Sequence, residues 1–290
     1  MRPRSEYEVL RPRSLEDALE ELYKRRGKGD VRVVAGATDV SVQLRSGAVA
    51  ERELMDISGL RNLRYVREVD DGIEIGALAT FSDIARSEVA RSSAPLLARA
   101  ALSVGSPQIR NLATLAGNLC TASPAGDGIP PLLVLGAAVR LSSSKGTREI
   151  PVEEFIIGPH RTARGEDELL TSVRVNRQPQ GYRWFLEKLG LRSANAVSVA
   201  SVSGLVMLDA DGRTVEDARI ALGAVAPTAI RARRAEEVLR GRKLDEDTMW
   251  DAAEAAAAES SPITDVRGSA AYRRMAVAGL LYRALAGVVG

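Results

Sequence analysis

The chain has 290 residues, 45% of them apolar, with a formal net charge of +2, one Cys and one His. This supports an ordinary core spread over two or three packed units, and so small a charge gives no sign of a nucleic-acid partner. Zinc and iron–sulfur sites need several Cys or His ligands, so this chain builds neither alone, and a single Cys forbids an intrachain disulfide.

The N-terminal Met1-Arg2-Pro3-Arg4-Ser5-Glu6 has no apolar stretch to serve as a signal peptide. Nowhere do the roughly 18 apolar residues of a membrane span run together, and a cytoplasmic location is expected. Leu15, Ala18, Leu19, Leu22 and Tyr23 fall at helical spacing. They predict an amphipathic helix over 14–26, with Ser14 as N-cap and Asp17 in a loose capping box. Residues 31–34 read as a buried strand running into the loop Ala35-Gly36-Ala37-Thr38-Asp39. Thr38 and Asp39 are placed to cap a short helix to about Arg45, and strand–loop–helix is a usual setting for an anion. Short strands are predicted at 54–57, 63–66 and 72–76, with Asp70-Asp71-Gly72 as a hairpin turn. Thr80-Phe81-Ser82-Asp83 opens a helix, and 95–104 forms another that ends at Gly105. A second glycine loop, Thr114-Leu115-Ala116-Gly117-Asn118, follows. After it come an apolar run over 129–139 and strands near 139–142 and 148–152.

Composition shifts at Asn176-Arg177-Gln178-Pro179-Gln180-Gly181. A boundary there divides a first domain, 1–176 in lobes of about 1–57 and 58–176, from a second at 177–290. Beyond it, 196–208 and 218–224 read as paired strands joined through Asp209-Ala210-Asp211-Gly212. Helices follow over about 228–240, 245–259 and 269–287. The C-terminal part is a sheet covered by helices, and the chain as a whole is α+β.

Both glycine loops set tiny residues beside hydroxyl or amide side chains, so backbone N–H groups can approach an anion with no Cβ in the way. Two such loops can clamp one diphosphate from two sides, as a dinucleotide cofactor requires. The first is neither a Walker loop nor the G-x-G-x-x-G of a βαβ unit; a plain strand-to-helix turn is its other reading. The second is flanked by Gln108, Arg110, Asn111, Thr121 and Ser123-Pro124-Ala125-Gly126-Asp127, a dense set of hydrogen-bonding groups. Asp127 either accepts from sugar or polyol hydroxyls or caps the next helix. Lys188, one of only five Lys in an Arg-rich chain, either has a role or is a solvated strand residue. Cys120 reads as a small buried hydrophobe, and Trp184, Phe185 and Trp250 as core.

The order Ala-Gly-Ala-Thr-Asp at 35–39, Gln-Ile-Arg-Asn-Leu-Ala-Thr-Leu-Ala-Gly-Asn at 108–118 and Ala-Ser-Pro-Ala-Gly-Asp at 122–127 resembles the FAD-binding subunits of molybdenum hydroxylases. That family includes the medium subunit of aerobic carbon monoxide dehydrogenase and the FAD domain of xanthine dehydrogenase. Glu154-Phe155-Ile156-Ile157-Gly158 and Lys188-Leu189-Gly190-Leu191-Arg192 extend the resemblance over nearly the whole chain. It implies a vanillyl-alcohol-oxidase (PCMH) type FAD domain in two α+β lobes, followed by a C-terminal domain. It implies that Ala35, Gly36, Ala37, Thr38 and Asp39 form the first diphosphate loop, and Thr114, Leu115, Ala116, Gly117 and Asn118 the second. Asp127 matches an FAD-binding acid, Ile157 or its neighbour Ile156 an apolar contact, and Lys188 a basic contact. Val104 stands where some members place an aromatic. The family pairs two glycines in each loop, whereas here Ala37 and Ala116 replace one of each pair, and Ala disfavours positive φ. His160 lies outside the glycine loops, so FAD is expected to bind noncovalently.

The sequence shows no acid–base–nucleophile set, which suits an electron relay. The resemblance implies that electrons arrive from [2Fe–2S] clusters on a small partner subunit, fed by a large molybdopterin subunit, and leave to an external acceptor. A dimer of heterotrimers is the implied assembly. NAD, quinone and oxygen are all compatible acceptors. The alternatives are a stand-alone FAD-dependent oxidoreductase of the same fold and a non-catalytic assembly subunit that has lost FAD.

Overall fold

A computed structural model of the chain describes residues 7–29 and 31–289. The hexapeptide read above for a signal sequence lies outside them. Strand β1 (Glu8–Leu10), helix α1 (Leu15–Arg25), β2 (Val31–Val34), α2 (Val40–Ser46) and β3 (Glu53–Asp56) form a first layer. Its sheet is wholly parallel in the order β1-β3-β2, with the helices as crossovers. Ser14 caps α1 by accepting from the Asp17 N–H at 3.1 Å, and Ala18, Leu19 and Leu22 bury its apolar stripe.

The second unit is an antiparallel sheet in the order β4-β5-β10-β6-β7, made of Val66–Val69, Gly72–Gly76, Leu169–Asn176, Ala138–Ser143 and Gly146–Pro151. The expected strand at 63–66 is a 3-10 turn at Arg61–Leu63, and pairing begins only at Val66. Six helices enter between β5 and β6: α3 (Phe81–Arg86), α4 (Glu88–Ser93), α5 (Pro95–Ser103), α6 (Pro107–Arg110), α7 (Leu115–Thr121) and α8 (Ile129–Val134). Thr80 and Asp83 close a reciprocal capping box on α3. After β7 come α9 (Val152–Phe155) and a small hairpin of β8 (Ile156–Gly158) and β9 (Arg161–Thr162).

The C-terminal sheet runs β11-β12-β13-β14, all antiparallel, from Arg183–Gly190, Ser198–Leu208, Val215–Gly223 and Ile230–Arg231. Ile230 and Arg231 extend this sheet by pairing with β13, so the helix expected from 228 starts only at Arg233. Helices α10 (Arg233–Leu239), α11 (Glu246–Glu259) and α12 (Ala270–Val289) accompany the sheet and share its hydrophobic core, which includes Val202, Ile220, Ala252 and Leu281. Phe185 is in this core, its ring lying over Gly204 on the next strand. Trp184 and Trp250 are not core as expected. They are about two-fifths exposed, and Trp250 instead stacks on Tyr282 at 4.4 Å.

Candidate functional site

Ala35–Asp39 forms the turn from β2 into α2, as the strand–loop–helix pattern predicts. The N–H groups of Ala37, Thr38, Asp39 and Val40 meet no acceptor among the described residues. They leave a run of unpaired donors suited to an anion. Ala37 lies in the left-handed region at φ +58°, the conformation for which glycine is the usual choice. Asp39 does not cap α2 as expected. Its carboxylate turns away and accepts from the Thr121 hydroxyl at 2.8 Å.

The second glycine segment is a helix, not a loop. Thr114 caps α7 by accepting from the Gly117 N–H at 3.0 Å, and this fixes the turn as helical. Ala116 therefore has no need of positive φ, and it is buried with Leu115. Thr114 is itself anchored beside Thr80, where the Phe81 N–H donates to the Ala113 carbonyl at 3.0 Å. Asn118 leaves its Oδ1 buried with no partner. A buried acceptor without a donor is costly, and here it supplies a hydrogen-bonding position inside a segment rich in small residues.

The fold brings the two segments together. A Cβ added to Gly36 would lie 1.7 Å from the Leu112 carbonyl oxygen, so the first loop rests directly on the backbone leading into α7. The Asp39–Thr121 bond closes the other end of the contact.

A second cluster lies along the same helix. A Cβ on Gly128 would stand 2.8 Å from Asn118 Oδ1, placing the Asp127 segment beside α7. Asp127 does not cap α8. Its Oδ2 pairs with Lys188 Nζ at 2.6 Å, and its Oδ1 accepts from the Ser198 hydroxyl. Both ionic side chains are mostly buried, at 17% exposure for Lys188 and 12% for Asp127. Lys188 is thus no solvated strand residue. It also donates to the Ser103 carbonyl at 3.0 Å, while Arg110 donates to the carbonyls of Val104 and Gly105. The two cations satisfy the C-terminal carbonyls of α5 and fix Val104 at its end.

Ile157 stands on the β8 strand with its side chain 53% exposed. The hairpin that carries it docks on the end of α7. The His160 N–H donates to Ala122 O at 2.9 Å, and its Nδ1 donates to Thr121 O at 3.0 Å. Cys120 is exposed, against the expectation of a buried hydrophobe, because α7 turns Leu115 and Leu119 to the core instead.

Among the described residues, five non-glycine residues take positive φ: Ala37, Ala122, His160, Asn195 and Ala224. Such conformations cost on the order of 1 kcal/mol each and gather at ligand clamps. Four of them attach to these segments by chain or by hydrogen bond, Ala224 through its N–H to Pro124 O at 2.9 Å. A cavity of about 550 Å³ lined by Glu153, Thr228, Arg231, Arg234 and Glu259 contains none of these groups.

Residues 5–177 match the family model described as the FAD binding domain in molybdopterin dehydrogenase. Residues 187–288 match the CO dehydrogenase flavoprotein C-terminal domain. The chain belongs to the FAD-binding subunits of the molybdenum hydroxylases. It is 32% identical to the glyceraldehyde dehydrogenase medium chain of Sulfolobus acidocaldarius, over 96% of this chain and 97% of that one. It is 31% identical to the carbon monoxide dehydrogenase medium chain of Hydrogenophaga pseudoflava, over 98% and 96%. Among solved structures, carbon monoxide dehydrogenase from Hydrogenophaga pseudoflava superposes with a TM-score of 0.93 at 30% identity, covering 99% of this chain and 98% of that one. Membership makes the chain a flavoprotein subunit of a molybdenum-dependent oxidoreductase, with FAD as its cofactor and an FAD-binding domain followed by a C-terminal domain. The residues present fit that cofactor: free N–H donors at 37–40, a glycine cradle at Gly36 and an orphaned acceptor on Asn118.

Sequence reasoning missed Ser198 as a member of this network, whereas Arg110 stood among the expected flanking groups. Ser198 sits in an apolar run where a hydroxyl that must be buried was the available signal.

Proposed function

We propose that this chain is the electron-transfer subunit of a heteromeric molybdenum hydroxylase, taking electrons from [2Fe–2S] clusters on a small partner subunit and passing them to an external acceptor. Molybdopterin resides on a large partner, the assembly is a dimer of heterotrimers, and the complex works in the cytoplasm. The observation that carries the reading is the contact between the two glycine segments, with the Asp127–Lys188 pair formed between the loop after α7 and strand β11. FAD supplies the redox chemistry when bound, by accepting and releasing electrons.

Holding it falls to Ala35, Gly36, Ala37, Thr38, Asp39, Thr114, Leu115, Ala116, Gly117 and Asn118 at the diphosphate. Val104, Asp127, Ile157 and Lys188 complete the contacts, and no covalent attachment is involved. Backbone N–H groups offset phosphate charge without bringing in mobile side chains. The Lys188 ammonium and the Ser198 hydroxyl hold the Asp127 carboxylate in a fixed orientation. The division near 176 is supported by the two separate hydrophobic cores, although Leu205 and Ala221 of the C-terminal sheet reach into the first.

The test is reconstitution with both partner subunits and an oxidisable substrate. Flavin absorbance near roughly 450 nm should bleach only when the cluster subunit is present. Bleaching by substrate with this chain alone would make it a stand-alone oxidoreductase. A stable complex that never takes up flavin would make it an assembly subunit.

A further inference from the structure

Three strands of the C-terminal sheet grip the segment that carries Asp127. β11 reaches it through Lys188, β12 through the Ser198 hydroxyl, and the end of β13 through the Ala224 N–H, which holds Pro124 O at 2.9 Å. Ala224 holds this position in the left-handed region, at φ +64°. One side chain ties two of these strand ends together. Arg273 on α12 is 3% exposed and donates from Nη1 to Val199 O at 2.7 Å and to Ala224 O at 2.9 Å. Its Nη2 meets Asp265 Oδ1 at 2.6 Å, and its Nε is buried with no partner.

Val199 follows Ser198 directly, so the carbonyl that Arg273 holds belongs to the residue beside the one that holds Asp127. Both carbonyls are held by one guanidinium nitrogen, Nη1, while the rigid planar group keeps Nη2 on Asp265, an anchoring that a flexible ammonium stem does not supply. Asp265 fixes the fork in turn and also pairs with Arg267.

We infer that Arg273 is a positioning residue for the flavin site: it sets the spacing of Ser198 and Ala224, and through them the Asp127–Lys188 pair. The inference rests on the reading of that pair as part of the FAD site. Arg273 itself touches neither Asp127 nor Lys188 by any hydrogen bond in the structure.

The test uses the full chain, without cofactor and with FAD, as R273M, R273K and S198A. In the cofactor-free protein, acetylation of Lys188 by an amine-reactive ester, read by mass spectrometry, should be at least fivefold faster in R273M than in the unaltered chain, with R273K between. The FAD dissociation constant should rise at least tenfold in R273M and less in R273K. The R273M/S198A double variant should lose little more than either single variant.

Unchanged Lys188 labelling in folded R273M overturns the inference whatever happens to FAD affinity, as do fully additive losses in the double variant. An unaltered chain that binds no FAD overturns the flavin reading instead, and Lys188 labelling still decides whether Arg273 positions the pair. Should R273M not fold, D265N releases the guanidinium more gently. It is expected to speed labelling in the same direction by a smaller factor, and no change there overturns the inference.

Discussion

Gly36→Ala is the sharpest perturbation of the contact between the glycine segments. The added Cβ would lie 1.7 Å from the Leu112 oxygen, 2.5 Å from its carbon and 3.2 Å from the Ala113 nitrogen. These are backbone atoms, so no side-chain rotation relieves the clash, and the segments must part by about 1.7 Å or more to restore ordinary van der Waals contact. A shift of that size would stretch the Asp39–Thr121 bond, now 2.8 Å, past hydrogen-bonding range. Overpacking costs roughly 1–3 kcal/mol and the lost bond about 1 kcal/mol, so a loss of about 2–4 kcal/mol is expected. In a chain of this size that lowers Tm by roughly 4–8 °C. Where the cofactor depends on the same contact, affinity falls about 30-fold or more. Thermal unfolding of the cofactor-free chain and a fluorescence titration with FAD read the two effects. An unchanged Tm with FAD affinity within about twofold of the unaltered chain would show that the Gly36–Leu112 contact supports neither the fold nor the cofactor.

The neighbouring alanines should respond with opposite signs. Ala37→Gly relieves left-handed strain of roughly 1–2 kcal/mol against an entropy cost of about 0.4–1 kcal/mol, so it stabilises the chain slightly. Because the Ala37 methyl is exposed, FAD affinity should stay within about threefold. Ala116→Gly lies inside a helix and is buried, so it should destabilise by about 1 kcal/mol. A stabilising A116G or a destabilising A37G, measured by chemical denaturation, would contradict the assigned backbone. Asp127→Asn leaves a mostly buried ammonium without its anion, at about 2 kcal/mol once the remaining exposure is allowed for. D127N/K188M should recover more than half of that loss in a double-mutant cycle, and strict additivity would argue against the pair. Burial pushes the buried Glu74 carboxyl up, but Arg67, Ser172 and Arg140 outweigh it and hold it below its ordinary value of 4.5. Its contribution is therefore complete above that value and is lost as pH falls through the lower folded-state value. Glu74→Gln should flatten the acid limb of a stability–pH profile and leave its slope between roughly pH 6 and 8 unchanged.

The elements that could be read in the sequence were those whose own residues decide them. The helical stripe of α1 behind Ser14, the capping box at Thr80 and Asp83, and the apolar runs of β12 and β13 each carry a complete local signal. Two short elements lacked one. Helix α4 is a single capped stretch of Glu88–Ser93 with little periodicity, and Arg183–Gly190 becomes a strand only by pairing with β12. Gly117 and Asn118 are poor helix formers, so α7 reads as a loop until Thr114 is seen to cap it.

The site divides in the same way. Small residues beside hydroxyls mark both glycine segments in the sequence, because close approach to an anion demands them. The partnership of Asp127 with Lys188 and Ser198 spans more than sixty positions and arises from the packing of the loop between α7 and α8 against the paired strands β11 and β12. Asp39 was legible as a polar residue at a helix start, but its real partner, Thr121, depends on how the first layer packs against α7.

Titrating FAD into the cofactor-free chain shows directly whether the two glycine segments and the Asp127–Lys188 pair hold the cofactor. Saturable binding of one FAD per chain is expected, visible as flavin bands near roughly 370 and 450 nm and released intact by acid denaturation. Gly36→Ala and Asp127→Asn should weaken it, while Ala37→Gly should not. A folded chain that takes up no FAD at about 100 μM, or binds it equally well with Gly36 and Asp127 replaced, would contradict it.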